Sequence, residues 1–182
     1  MKLKNLLKNN LCVLLIAVLV FSLCSCGGNM TDESAKAELE RLLPVSYELN
    51  EIFWGKGLPT KLSESSYAMQ PVTDDCGYKS VDDIIKKAKT VFSEEYVEEI
   101  VSAILTDGDD TNARYADIDG VLKADLRYPQ FDVKGNIVIS TAKIKKQNSR
   151  MMIVTAEYED GGSTELTLIM QDGKWYLDSP TY

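Results

Sequence analysis

The hydrophobic period of this chain changes once, near residue 113, and does not change back. Up to Leu105 the apolar residues fall at helical spacing. From Tyr115 onward they follow the two-residue period of strands. Helices first and then a run of strands is the pattern of an α+β fold, with the helices packed on a curved antiparallel sheet. The first helical stretch covers about residues 33–54. Ala35, Leu39, Leu42 and Leu43 share one face, Pro44 interrupts, and Val45, Leu49, Ile52 and Phe53 resume the pattern. This predicts a kinked helix or two helices, capped by Thr31 or Asp32 with Glu33 in the first turn. Gly55, Gly57 and Pro59 end it.

Residues 55–79 are the least regular part. Residues 67–72 read as a short strand or an extended arm, and residues 74–77 (Asp-Asp-Cys-Gly) read as a turn. Ser80 with Asp83 has the form of a capping box built with a shorter acid than usual. The helix behind it turns Val81, Ile84, Ile85, Ala88 and Phe92 inward. Ser93 caps the next helix, with Glu94 and Glu95 in its first turn, where the helix dipole favours negative charge. Val97, Ile100, Val101, Ile104 and Leu105 form its apolar face.

Candidate strands cover residues 115–118, 121–128, 136–145, 151–158, 164–170 and 175–177. In the third, Ile137, Ile139, Thr141 and Lys143 fall on one side and Val138, Ser140, Ala142 and Ile144 on the other. Asp172-Gly173 marks a hairpin, since Asp-Gly supplies the positive φ angles that a two-residue turn needs. The links are short, so the second half reads as an antiparallel meander.

Ahead of this domain stands a leader. Lys2, Lys4 and Lys8 precede an apolar run over residues 11–23, which is followed by Ser25 and Cys26. That run has 13 residues, too few for a bilayer span, which takes about 20. Cys24 follows bulky Leu23, whereas Cys26 follows small Ser25. The segment resembles the signal peptide and lipobox of bacterial lipoproteins. The resemblance implies cleavage after residue 25, a lipid on Cys26, a tether over residues 26–32 and a single domain over 33–182. It implies an extracytoplasmic protein held to the cell membrane by its acyl chains. A diacylated cysteine supplies the two chains that stable anchoring takes.

Cleavage there removes three lysines and no acid, leaving 17 Lys+Arg against 28 Asp+Glu and a formal net charge of −11. Such a surface repels phosphate backbones and argues against nucleic acid as a partner. It also argues against a peripheral grip on anionic lipid beyond the anchor. Besides Cys26 only Cys76 remains, beside Asp74 and Asp75, whose charges disfavour a thiolate. The chain has no histidine, which excludes Ser-His-Asp and Cys-His catalysis and removes the usual ligands of catalytic zinc.

The closing residues 172–178 (Asp-Gly-Lys-Trp-Tyr-Leu-Asp) resemble the last hairpin of nuclear-transport-factor-two-like (cystatin-like) α+β domains. That resemblance implies a conical pocket between sheet and helices. The helix pair around residues 92–96, followed by strands and Gly173-Lys174-Trp175, is similar in layout to exported inhibitors of peptidoglycan DL-endopeptidases. Three residues are the binding candidates: Phe53 and Trp54, just before a glycine turn, and Tyr176 on the last strand. If Trp54 is exposed, it marks a contact surface; otherwise Phe53 and Trp54 staple the helix end to the sheet. The acidic loop at 107–112, with Asp117 and Asp119, offers oxygen ligands. Read as a calcium loop, it has Asn112 and Ile118 where glycine and glutamate belong, so it reads as a solvated loop. No carboxylate pair stands out for acid/base work, and no cofactor or metal is expected. The resulting expectation is a non-catalytic binding or interaction role with an envelope protein. The alternatives are an inhibitor of a cell-wall hydrolase, or a small pocket enzyme using a carboxylate or tyrosine.

Overall fold

Among the described residues of 31–182, which form one unit, there are three helices and eight strands. The computed structural model describes residues 29–61, 69–106, 113–133 and 135–182. The leader with Cys26, the first two residues of the arm expected at 67–72 and the acidic loop at 107–112 lie outside the described residues, and the rest of the arm is mostly a short strand, Met69–Pro71.

Helix α1, Asp32–Phe53, opens as its sequence predicts: the Thr31 hydroxyl caps it by accepting from the Ser34 amide at 3.2 Å. Pro44 neither ends nor divides it. Pro44 is exposed, so the Glu40 carbonyl that loses its amide partner lies on the solvent side, where water is free to reach it. The opposite face buries Ala35, Leu39, Leu42, Leu43 and Leu49.

Helix α2, Val81–Ala88, starts at Ser80, which accepts from the Asp83 amide at 3.1 Å. The Asp83 carboxylate reaches back to the Lys79 amide at 3.0 Å. Asp117 accepts the Val81 amide at 3.1 Å, so this candidate calcium ligand instead anchors a helix N-terminus. Helix α3, Glu94–Ile104, is capped by Ser93 and runs directly into the next strand.

The strands form two sheets, not the single curved sheet expected. The first has the order β1-β4-β3-β2, from β1 (Met69–Pro71), β2 (Leu105–Thr106), β3 (Tyr115–Ile118) and β4 (Val121–Asp125). Its β2–β3 pair is parallel, a departure from the all-antiparallel meander. The second is a true meander of β5 (Ile137–Gln147), β6 (Met151–Tyr158), β7 (Ser163–Gln171) and β8 (Lys174–Leu177). The reason for the split is geometric. Strand β4 lies between β3 and β1, so both of its hydrogen-bonding edges are taken and β5, next in the chain, does not pair with it but opens the second sheet.

Turn chemistry fixes the registers of the β3–β4 and β7–β8 hairpins. Asp119 and Gly120 have φ of 55° and 74°, and Asp172 and Gly173 have 48° and 77°, the positive pair of a type I′ turn. In β5 the even alternation fails because the strand is bulged twice, between Val138 and Lys143 and between Ile144 and Lys146. Ile137 and Ala142 are therefore both buried, although the simple pattern puts them on opposite faces.

Helix α1 runs antiparallel along β5. Asp32 accepts the Ile144 amide at 2.8 Å at one end, and the Tyr47 hydroxyl accepts the Ile137 amide at 3.3 Å further along. Its leucines, with Ala142, Met152, Val154, Leu166, Leu168 and Leu177, fill the layer between helix and sheet. A small buried polar cluster sits in the same layer: Thr181 Oγ1 lies 3.0 Å from Ser46 Oγ and accepts from Asn50 Nδ2 at 2.7 Å. The edge of β8 is closed by residues 91–93, through Leu177 N–H to Val91 O at 2.9 Å and Ser93 N–H to Leu177 O at 2.8 Å.

Since Pro44 sits on the wet face and only withholds an amide, Pro44→Ala is expected to stabilise the fold. Proline costs about 3 kcal/mol against alanine in a helix interior, partly offset by the freer unfolded chain, so a gain of about 1–2 kcal/mol in urea unfolding is expected. A loss of stability would mean that Pro44 shapes the packing of α1.

Candidate functional site

The C-terminal end of α1 is organised by a residue that lies about 60 positions away in sequence. A helix leaves its last carbonyls without partners, and a cation is the favoured neighbour there. The last turn of α1 contains no basic residue. Arg114, just before β3, supplies the charge. Its guanidinium donates to Phe53 O at 2.9 Å and to Gly55 O at 2.6 Å. Arg114 is only 3% exposed. It lies between two rings, with its Cζ 5.1 Å from the Tyr128 centroid and 5.8 Å from that of Tyr115. Tyr115 extends the clamp: its hydroxyl donates to Ile52 O at 2.9 Å and accepts the Leu58 amide at 2.9 Å.

This clamp leaves no room at Gly57, which has φ of +78°. A Cβ there would stand 2.6 Å from Arg114 Nη2 and 2.9 Å from the Tyr115 hydroxyl. Glycine is required for both reasons.

The clamp also seats the loop after β4. Tyr128 stacks on Arg114, and the Phe131 amide donates to Trp54 O at 2.8 Å. Ahead of these points the Asp125 amide donates to Arg114 O at 2.9 Å, and along the stretch so held the loop turns apolar side chains to solvent: Leu126 is 47% exposed and Phe131 57%. Beside Phe131, a hollow of about 230 Å³ is lined by Asp132, Asn136, Tyr158, Asp160 and Tyr182, with Tyr182 itself 43% exposed. This end of the molecule thus carries apolar and aromatic groups on a backbone that is hydrogen-bonded in place. Exposed apolar groups gathered on an ordered surface are a mark of contact with another molecule.

The sequence candidates fall out as follows. Phe53 is fully buried and belongs to the core, fastening the helix end as the stapling reading has it. Trp54 is half-buried, with its indole nitrogen enclosed and lacking a hydrogen-bond partner. It contributes to the surface mainly through the carbonyl that holds Phe131. Tyr176 is half-buried on β8 and lines a different hollow with Lys89, Phe92, Glu94, Gln171 and Asp172. The structure therefore does not bring Tyr176 together with the Trp54 end. The neighbour of Tyr176 on β8, Trp175, is the one turned into the core. Cys76 is a free thiol, with its Sγ 3.4 Å from Tyr78 O.

Arg114, Leu126 and Phe131 were not among the sequence candidates. Leu126 was assigned to a strand, but β4 stops at Asp125, whose carboxylate accepts the Arg127 amide at 2.8 Å and turns the chain. Arg127 donates to the same carboxylate and holds the Asp125 pKa below the usual range. No signal in sequence marks Arg114 as buried.

Among the described residues no group of carboxylates and cysteines is placed to hold a metal ion. No helix there is long and apolar enough to cross a membrane.

Burial raises the phenol pKa of Tyr115 and Tyr128, with Arg114 pulling each partly back, and raises that of Tyr182. A native pKa above the unfolded value of about 10 means that the native chain holds its protons longer. The stability these phenols contribute is whole below about pH 10 and is lost as pH rises toward the native values. Tyrosinate absorbance of the folded protein is therefore expected to lag behind that of the urea-unfolded chain, then rise steeply as the fold gives way. Coincident curves would contradict this packing. Gly57→Ala is expected to cost about 2–4 kcal/mol in urea unfolding, from the strained φ and the clash with Arg114. A cost below ~0.5 kcal/mol would show that the clamp is loose.

No protein-family model matches this chain, and no curated protein matches it.

Proposed function

We propose that this chain is a cell-envelope lipoprotein, tethered to the membrane through lipid on Cys26, whose one domain binds a protein partner without catalysing a reaction. The arrangement of helices on antiparallel strands is consistent with a cystatin-like domain. The observation that carries the binding role is the display of Leu126 and Phe131 on a loop held by the Asp125 amide on Arg114 O, by Tyr128 on the Arg114 guanidinium and by the Phe131 amide on Trp54 O. Exposed apolar side chains lose free energy in water. A fixed loop binds with less ordering cost than a free one. The leucine-filled layer between α1 and the second sheet supports the same reading, since it leaves the outer surface as the place where a partner can be met. The partner is an envelope protein, and a cell-wall hydrolase is one member of that class.

Two measurements test the two parts. Labelled palmitate fed to cells is expected to enter the wild-type chain and not Cys26→Ala. Label retained in that variant would contradict the assignment of Cys26. A photo-crosslinking amino acid at position 131 is expected to trap one discrete partner in intact cells, whereas the same group at Glu98, exposed on α3, traps none. Equal yields at the two positions would remove the loop as the binding surface. Phe131→Ala is expected to change stability by less than about 0.5 kcal/mol, because the side chain is exposed.

A further inference from the structure

The charge of this chain is not evenly spread. The acids Asp82, Glu94, Glu95, Glu98 and Glu99 lie exposed on α2 and α3. Residues 137–156 contain no acid, and four cations fall within eight residues: Lys143, Lys145, Lys146 and Arg150. All four are exposed. In an ordinary strand, Lys145 and Lys146 would point to opposite faces. The β5 bulge between Ile144 and Lys146 inserts Lys145 as an extra residue, and both lysines reach solvent. Arg150 stands in the tight β5–β6 turn, where its carbonyl accepts the Met170 amide at 2.8 Å.

The place of this patch is fixed by Asp32. Its carboxylate accepts the Ile144 amide at 2.8 Å, which puts the first turn of α1 against the middle of the lysine run. Cys26 is six residues upstream of Asp32, and six residues of chain reach at most about 20 Å. The basic patch therefore begins where the chain leaves for the leader. The nearby acids are few. Glu165 pairs with Lys145, Asp32 is bonded to β5, and Glu33 and Asp172 remain.

We infer that Lys143, Lys146 and Arg150, with Lys145 behind them, form a docking face for anionic phospholipid headgroups of the membrane that holds the anchor. This rests on the reading of Cys26 as the lipid site. The net charge of the chain argues against such a grip, but the mean conceals a face of the opposite sign, and the field at a surface is set within a Debye length. Two acyl chains already supply the affinity, so the patch sets orientation. With it down, the start of α1 lies at the bilayer. Its 22 residues measure about 33 Å, and the Leu126–Phe131 surface stands at the other end of the helix.

The test uses the mature lipidated protein on vesicles of pure phosphatidylcholine and on vesicles containing phosphatidylglycerol, with acylation of each lysine read by mass spectrometry. Lys143 and Lys146 are expected to be acylated several-fold more slowly on the anionic vesicles, with Lys86 on α2 unchanged. About 0.5 M salt, where the screening length is ~4 Å, is expected to abolish the difference. Lys143→Gln with Lys146→Gln is expected to leave vesicle association intact and to remove the salt-sensitive protection of Lys145. Association with both vesicles and equal acylation on both would overturn the patch while leaving the anchor standing. Failure to associate with either vesicle would overturn the anchor, and the docking face with it. Protection by soluble polyglycerol phosphate but not by anionic vesicles would assign the face to a wall polymer and overturn its docking to lipid.

Discussion

The fold turns on one buried cation. Arg114 takes the carbonyls that end α1, lies against the rings of Tyr115 and Tyr128, and so fixes the start of the first sheet, the glycine turn at residues 55–57 and the loop after β4. A guanidinium out of water loses several kcal/mol of hydration, and a bond from a charged donor returns about 1.5–3 kcal/mol. The site is viable because the helix end supplies a partial negative charge and the ring faces add to it. A lysine does not substitute, since one ammonium lacks the fork that meets both carbonyls.

The same helix gives the molecule two unlike ends. At its start, Asp32 ties α1 to β5 beside a run of lysines. At its finish, Arg114 ties α1 to a loop that shows Leu126 and Phe131. The chain toward Cys26 leaves from the first end. In the reading proposed, the basic end meets the membrane and the apolar end meets a partner, with α1 as the spacer between them.

Local rules in the sequence were legible to a high degree. Thr31, Ser80 and Ser93 all cap the helices they precede, and Asp172-Gly173 makes the turn its type demands. These depend on neighbours a few residues apart. Features that depend on distant neighbours were not legible. The pairing of β1 with β4 crosses about 50 residues and decides that there are two sheets. Pro44 looked like a break because the pattern does not report that its missing amide faces water. The first bulge of β5 moves the residues after it to the other side and the second moves them back, without any change in residue type. The surface was hidden for the same reason. Arg114 reads as one more charge in a polar stretch until the end of α1 is placed against it, and Leu126 reads as strand until Asp125 turns the chain. Phe53 and Trp54 lie at the end of the molecule that carries Leu126 and Phe131, and the exposed groups there are their neighbours across the loop.

The central claim is that Arg114 holds the loop that presents Leu126 and Phe131. Hydrogen exchange, followed residue by residue in the wild type and in Arg114→Met, tests it most directly. The account predicts that the Phe131 amide, bonded to Trp54 O, is protected in the wild type and exchanges far faster in the variant, while amides of β6, such as that of Val154, keep their protection. Unchanged protection at Phe131 in the variant would contradict it, and so would a uniform loss across β6 and the loop together.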